Sequence, residues 1–256
     1  MDTALNDTSF GRNLIKRLVG WVNQVAQPLM PPILVAEGDD SLRLDFQHRV
    51  PHSVMIGKLV RAVSGIKAAL ILADLGYIAE CGALLRMVSD FCTEIAALGE
   101  ALNAGGELPT AVRAFTDQYF TPKARTPEQF AAQDRVRYVS REELMKGSLR
   151  LANQASIDAE QFRINHRFIN MSFDAYVHGA CETTMELWDA STGTFMVEGH
   201  RNVVKREEFI EAVFHKLHEV IVALELTAAV TGHAEVFTEV REARRTIDTL
   251  DPWKIN

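Results

Sequence analysis

The sequence is poor in the features that mark several common classes of protein. Its three cysteines are odd in number and form no Cys-x-x-Cys pair, so we expect neither a closed disulfide framework nor a zinc knuckle or dithiol redox site. The most apolar stretch, 68–75, is interrupted by Asp74 and is too short to span a bilayer. Residues 1–13 lack the apolar segment of a secretory signal. These absences predict a cytoplasmic protein without a membrane segment.

An excess of positive charge is also missing. Lys and Arg total 27 against 34 Asp and Glu, which gives a formal net charge of −7. Because proteins that coat nucleic acid non-specifically are normally basic, we expect any contact with RNA to be confined to a local patch. The sequence contains no Walker loop and no Gly-x-Gly-x-x-Gly, Gly-x-Ser-x-Gly, His-Glu-x-x-His or Glu-x-x-His motif. We therefore predict no cofactor and no metal centre.

Helical periodicity is what the sequence does contain. Apolar residues recur every three or four positions through most of the chain, and proline or glycine turn signals separate the periodic segments. The long segments are 14–25, 54–70, 84–102, 158–189 and 209–224, with shorter ones at 110–120, 127–136 and 141–153. This pattern predicts an all-α fold, a single helical bundle of five to six long helices. Its expected core includes Leu84, Val88, Phe91, Ile169, Phe173, Leu217 and Val220.

Two stretches depart from the helical pattern. Residues 33–51 mix apolar and charged types without a period and are interpreted as a linker. The expected organisation is thus an N-terminal helix and linker arm at 1–52, followed by the helical bundle domain at 53–256. Near 191–200, a Ser-Thr-Gly turn signal precedes β-prone residues, which predicts a short β-hairpin.

The segment 167–180 is the most informative for function. On a helix that advances about 100° per residue, His178 lies nearly opposite the apolar stripe predicted for the same helix. Asp174 stands four residues before it, so its carboxylate is able to orient or charge the imidazole across one turn. An ion pair on a solvated helix surface, or a capping interaction inside the bundle, explains the same two residues without any chemistry.

Two segments together resemble a known family. Residues 82–88 read Gly-Ala-Leu-Leu-Arg-Met-Val, and residues 172–180 read Ser-Phe-Asp-Ala-Tyr-Val-His-Gly-Ala. Their combination resembles a bacterial helical family of unknown function that is grouped with HEPN domains, small helical bundles found in nucleases, toxins and phage-defence proteins. The resemblance covers roughly 54–188. It implies an all-α fold, a dimer and RNA cleavage without a metal.

In the nuclease members of that group, an Arg and a His four to six residues apart on one helix act together near the dimer interface. The His moves protons at a ribose 2′-hydroxyl or at the leaving oxygen, and the Arg stabilises the phosphate charge. From this resemblance and from the two-faced helices, we expect a homodimer with the 158–189 helix or its neighbour near the two-fold axis.

The present chain departs from that spacing. The nearest Arg upstream of His178 is Arg167, eleven residues away, or about 16 Å along a helix that rises 1.5 Å per residue. A catalytic site would therefore combine His178 and Asp174 with Arg86 of a neighbouring helix, or with Arg167 of the partner subunit. A surface ion pair with Asp90, one turn further on, explains Arg86 without a function.

Three functions stay open at this point. The first is a HEPN-like interaction protein with little or no catalysis, related to RNA or nucleotide metabolism or to defence, with RNA or a protein as its partner. The second is a metal-independent ribonuclease that uses His178. The third is a regulatory bundle that binds a small molecule or a metal, for which the helical cluster Glu211, His215, His218 and Glu219 offers ligands. The absent Arg partner of His178 favours the first.

Overall fold

Helices make up most of the chain in the computed structural model, which describes residues 8–29, 33–37, 41–121, 139–154 and 158–250. The helices are α1 (Thr8–Ala26), α2 (Pro51–Leu75), α3 (Ile78–Asn103), α4 (Thr110–Phe120), α5 (Arg141–Gln154), α6 (Ala159–Val177), α7 (Cys181–Met185), α8 (Val203–Val230) and α9 (Ala234–Leu250). The strands form two small hairpins, β1 (Ile33–Glu37) with β2 (Ser41–Asp45) and β3 (Trp188–Asp189) with β4 (Thr194–Phe195). The predicted all-α class is confirmed. The helical piece predicted at 127–136 lies outside the described residues.

Helices α2 and α3 form an antiparallel pair that organises the bundle. Pro51 begins α2, where its fixed φ suits the first turn. Gly76 ends α2 in the left-handed conformation, with φ of 85°, and its N–H bonds to the Ala73 carbonyl. A side chain at Gly76 would also collide with the backbone of His200. Helix α3 then runs through the middle of the protein, where it packs against α2, α5, α6 and α8.

The apolar core lies between α1, α2, α3 and α8. Its largest fully buried side chains include Leu18, Met55, Leu59, Ile66, Leu85, Leu98, Ile221 and Leu224. Burying one such side chain stabilises a fold by about 1.5–3 kcal/mol. Leu18 belongs to α1, so the N-terminal helix is part of the same core as the helices that follow. None of the helices in the described part of the chain combines the length and the apolarity that crossing a membrane requires.

The hairpin at 33–45 replaces the linker that the sequence predicted. β1 and β2 pair in antiparallel register, with Leu34 opposite Leu44. Both of these leucines are mostly exposed, so this apolar pair does not mark the buried side by which a strand is recognised in a sequence. The second hairpin, expected near 191–200, is present slightly earlier, with Trp188 opposite Phe195 and a turn at Gly193.

The helix predicted over 158–189 is shorter than expected. It begins near the predicted residue, where Asp158 accepts a hydrogen bond from the Gln161 N–H, but α6 ends at Val177. Gly179 has a φ of 59°, which turns the chain before the short α7. The predicted core residue Ile169 is 40% exposed, and Asn170 beside it is only 2% exposed. The face of α6 that points inward is therefore mixed: it carries the polar residues His166, Asn170 and Asp174 beside Phe173 and Tyr176, which pack against the core.

Candidate functional site

A band of polar side chains joins α6 to the rest of the bundle. On α3 and α6 these residues recur every three or four positions, so they share one face of each helix. We call this band the polar seam. It consists of Arg86, Ser89, Asp90 and Thr93 on α3, Arg141 on α5, His166, Asn170 and Asp174 on α6, and Lys216 and Glu219 on α8.

Arg86 holds one end of the seam. Its side chain is only 9% exposed; Nε donates to Asp174 on α6, and Nη1 forms an ion pair with Asp90. Burial by itself would lower the pKa of Arg86, but the hydrogen bonds and charges of these two carboxylates raise it. Arg141 approaches Asp90 from α5, with Nε 3.4 Å from Oδ1. The interpretation of Arg86 and Asp90 as a surface pair is thus wrong, because Arg86 is buried and also binds α6.

His166 lies at the middle of the seam. Its Nε2 is 3.2 Å from Thr93 Oγ1, and its Nδ1 is 2.8 Å from the amide nitrogen of Asn170. Burial lowers the pKa of His166 to about 4, and the nearby Arg141, Lys216 and Arg86 oppose its protonation further, whereas Glu219 favours it. The imidazole is therefore neutral at pH 7, and it acts as a hydrogen-bonding side chain between α3 and α6.

Lys216 holds the other end of the seam. It is almost fully buried, with Nζ 2.6 Å from Glu219 Oε1 and 3.3 Å from Ser89 Oγ. Nζ also lies 5.6 Å from the centre of the Phe173 ring on α6. Ser89 donates in turn to the second Glu219 oxygen at 3.2 Å. The three cations of the seam face three carboxylates, so its charges are balanced internally, as a network that holds helices together requires.

The four residues selected from the sequence divide into two groups. Arg86 and Asp174 meet in the seam. His178 lies beyond the last residue of α6, where its backbone N–H donates to the Asp174 carbonyl at 3.0 Å. Its ring is exposed and, among the residues that the structure describes, makes no hydrogen bond or ion pair; the same holds for Arg167. The predicted side-chain contact between Asp174 and His178 is not formed, because the carboxylate binds Arg86 instead.

Sequence reasoning missed the residues at the centre of the seam. His166 falls on the stripe that the periodicity assigned to the apolar core, although His166, Asn170 and Asp174 follow one another at intervals of four. This spacing of polar residues was the signal that could have identified the inner face of α6. Lys216 was missed although Glu219 follows it by one turn, because the polar residues at 215–219 do not show by themselves which of them faces the bundle.

The histidines and glutamates of α8 do not converge on one point. His218 Nε2 lies 3.0 Å from Asp248 of α9, His215 Nε2 lies 3.7 Å from Glu211, and Glu219 belongs to the seam. Over the described ranges, no group of three or more His, Cys, Asp or Glu side chains is arranged to hold a metal ion. These side chains instead contact their neighbours on α8 and α9.

The outer side of α6 carries a stripe of exposed apolar residues beside charged ones. Ile164, Phe168 and Met171 follow the i, i+4, i+7 spacing of one helix face and are 48%, 64% and 61% exposed. We call these three residues the outer stripe. Arg167 precedes Met171 by one turn and His178 follows it by two, so both lie along the edge of the outer stripe. Exposed apolar patches of this kind mark interaction surfaces.

Comparison with known proteins yields no relative, because no family model, no curated protein and no solved structure matches the chain. The HEPN resemblance therefore rests on the two sequence segments that suggested it. What the fold and the site define is an all-α bundle in which α6 contacts its neighbours through the polar seam and through Phe173 and Tyr176. The exposed outer stripe is the feature of α6 that a function has to explain.

Proposed function

We propose that the chain is a cytoplasmic, HEPN-like helical interaction protein, related to RNA metabolism or defence, that works as a homodimer through the outer stripe of α6. The exposed outer stripe of α6 is the observation that carries this proposal. The polar seam fixes the helix to its own bundle, which leaves the outer stripe for a second surface. Catalysis forms no part of this function, because Asp174 already binds Arg86. His178 has no side chain that orients it among the described residues.

The position of the outer stripe suits a second copy of the same chain. In a two-fold interface the same patch serves both subunits, so the patch must be complementary to itself. An antiparallel pair of α6 helices with its axis near Met171 covers Phe168 in both subunits at once. It also sets Arg167 within about one helical turn, roughly 5 Å, of the partner's His178. Since neither residue has an ion pair within the described part of its own subunit, the pairing adds a polar contact at each end.

We expect Phe168→Glu to convert the dimer to a monomer. The substitution places a carboxylate in the middle of the apolar contact, and burying it without a partner is costly, so the dimer should weaken about 100-fold or more. Light scattering at micromolar concentration should give twice the 28.6 kDa chain mass for the natural sequence and a single chain mass for the variant.

The matched control is Ile71→Glu, because Ile71 is also apolar and 55% exposed but lies on α2. This variant should stay dimeric, which separates an effect of the stripe from a general effect of added charge. The proposal would be overturned if the natural chain were monomeric at about 100 μM. It would also be overturned if Phe168→Glu formed the dimer unchanged.

A second function, metal-independent RNA cleavage, is favoured by the exposed pair Arg167 and His178. Both side chains are uncommitted within the described residues and border the proposed interface, so each subunit would supply one residue of a site. His178 would take the proton of a ribose 2′-hydroxyl or return one to the leaving oxygen, and the partner's Arg167 would stabilise the phosphate charge. Two such sites would form in each dimer.

We expect complementation between two inactive variants if this second function is correct. Arg167→Ala and His178→Ala should each abolish cleavage of a single-stranded RNA in the presence of a chelator, without loss of helical content. An equal mixture of re-associated subunits should recover about a quarter of the natural activity, since half of the dimers are mixed and each restores one of two sites. Cleavage by either variant alone, or none by the mixture, would reject a shared site.

A further inference from the structure

A cleft of about 460 Å³ lies between the second hairpin, the end of α2 and the start of α8. Its apolar side is formed by Leu75 and Phe195, and its polar side by Thr192, Arg201 and Arg206. It shares no residue with the polar seam or with the outer stripe. The volume falls within the range of small-molecule sites, which combine apolar walls with a few polar groups that fix the ligand.

Arg206 presents unused hydrogen-bond donors at this cleft. A guanidinium carries five N–H groups, and here one of them, on Nη1, donates to the Asp74 carbonyl at 3.3 Å. Nε is buried and has no hydrogen-bond partner among the described residues. The carboxylate of Asp74 is itself fixed by Arg12, whose Nη2 lies 2.7 Å from both oxygens. Arg206 is therefore anchored at one nitrogen while its buried Nε–H lacks the acceptor that buried donors normally have.

The other charges along the cleft limit the kind of anion that it accepts. Asp189 accepts hydrogen bonds from the N–H and the hydroxyl of Ser191, which hold the pKa of this carboxyl below its ordinary value and keep it ionised. Arg201 and Glu198 are exposed and make no ion pair in the part of the chain that the structure describes. The lining thus carries two cations, Arg201 and Arg206, and two carboxylates, Asp189 and Glu198. Because these charges balance, an anion has to be held by the unused donors of Arg206, and the carboxylates disfavour a ligand with more than one negative charge.

The wall of the cleft is held by backbone contacts. The His200 N–H donates to the Gly76 carbonyl at 2.6 Å. The His200 ring accepts from the Asn202 N–H at 3.1 Å, which leaves its Nε2 to donate to the Glu186 carbonyl, also at 3.1 Å. Gly199 has a φ of 104°, and a side chain there would collide with the Leu75 carbonyl. A wall fixed in this way needs little ordering when a ligand binds.

We propose that this cleft binds a small organic monocarboxylate, with its carboxylate at Arg206 and Arg201 and its apolar body against Leu75 and Phe195. A guanidinium matches a carboxylate with two parallel hydrogen bonds. Glu198 at the rim disfavours groups with more than one negative charge. The inference is independent of the proposed dimer, because it uses none of the same residues.

The test is a titration of the full-length, ¹⁵N-labelled chain with hexanoate, followed through the arginine Nε–Hε signals. We expect hexanoate to shift the Arg206 signal saturably. Hexanoate should also bind at least tenfold more tightly than acetate, which lacks the apolar body. Hexanol, which lacks the charge, should leave the Arg206 signal in place. Inorganic phosphate should bind at least tenfold more weakly than hexanoate, and equal or tighter phosphate binding would reject the monocarboxylate assignment.

Variants decide whether the cleft is the site. Arg206→Gln should weaken hexanoate binding at least tenfold, whereas Arg163→Gln, which removes the same charge from the exposed face of α6, should not change it. If Arg206→Gln does not fold, Leu75→Trp gives the second test, since it fills the apolar side and should weaken binding while Arg206 is retained. The absence of a saturable shift with hexanoate, equal binding of hexanol, or unchanged affinity in the cleft variants would overturn the inference.

Discussion

Replacement of Arg86 by methionine is expected to lower the free energy of unfolding by about 3 kcal/mol, the low end for removal of one partner of a buried ion pair. Methionine keeps much of the apolar volume of the side chain, so the loss of stability measures the effect of removing the charge. Without the guanidinium, Asp90 and Asp174 face each other across the contact between α3 and α6. Both carboxylates are more than one-third exposed, so water reduces the free-energy cost of the repulsion between them. Urea unfolding of the two proteins measures the difference.

A double-mutant cycle with Asp174→Asn assigns the loss to the contact between the helices. The two residues should be coupled by about 1–2 kcal/mol, a range typical of neighbours in one polar network. Arg163→Met is the matched control, because the ion pair of Arg163 with Glu160 lies on the exposed side of α6; its unfolding should not change measurably. A loss below about 1 kcal/mol for Arg86→Met, or no coupling with Asp174, would show that the seam does not hold α6.

The sequence was sufficient for the helical class and for the central helix pair. Pro51 and Gly76 are strong start and stop signals, and apolar residues such as Leu59, Val63 and Ile66 recur between them at helical spacing. The hairpin at 33–45 could not be found in this way. Leu34 and Leu44 face each other across the strands but remain exposed, so this apolar pair does not mark a buried side of the hairpin.

Helix α6 shows how far periodicity alone describes the face of a helix. Of the two core residues predicted on α6, Phe173 packs against the core, whereas Ile169 is 40% exposed. An apolar period does not show which polar residues share the inner face. Here those residues are held by charge-assisted hydrogen bonds to partners far away in the chain. Asp174 lies 88 residues from Arg86, and Ser89 lies 130 residues from Glu219. No local spacing reveals contacts over such separations.

The predicted contact between Asp174 and His178 is absent for a related reason. The rule that side chains four residues apart approach each other holds inside a helix, but α6 ends at Val177, and Gly179 turns the chain away. Asp174 also binds Arg86, whose guanidinium is a stronger partner for a carboxylate than an imidazole at the end of a helix. A buried guanidinium keeps its charge and presents several donors to a carboxylate. The sequence identified Arg86 and Asp174 as important residues without showing that they bind each other.

Acidification from pH 6.5 to pH 4 is expected to destabilise the fold through His166. Its pKa falls from the ordinary 6.5 to about 4 on folding, chiefly because the ring is buried. Between these values the unfolded chain binds a proton that the folded chain does not, so stability falls as the pH falls through this window. Below the folded pKa both states are protonated and the loss ends. One such group contributes at most about 1.4 kcal/mol for each pH unit.

Burial causes most of this effect, and the charges that face His166 from the neighbouring helices modify it. Arg86 on α3, Arg141 on α5 and Lys216 on α8 oppose its protonation, whereas Glu219 on α8 favours it. We therefore expect His166→Gln to have a shallower slope of unfolding free energy against pH than the natural chain. The slope is measured between about pH 4.5 and 6.5, the window set by the two pKa values. His178→Gln is the control and should keep the natural slope, because its exposed ring makes no hydrogen bond or ion pair with the described residues of its own chain. Equal slopes in all three proteins would mean that His166 is as easily protonated in the folded chain as in the unfolded one, and that the seam is open to water.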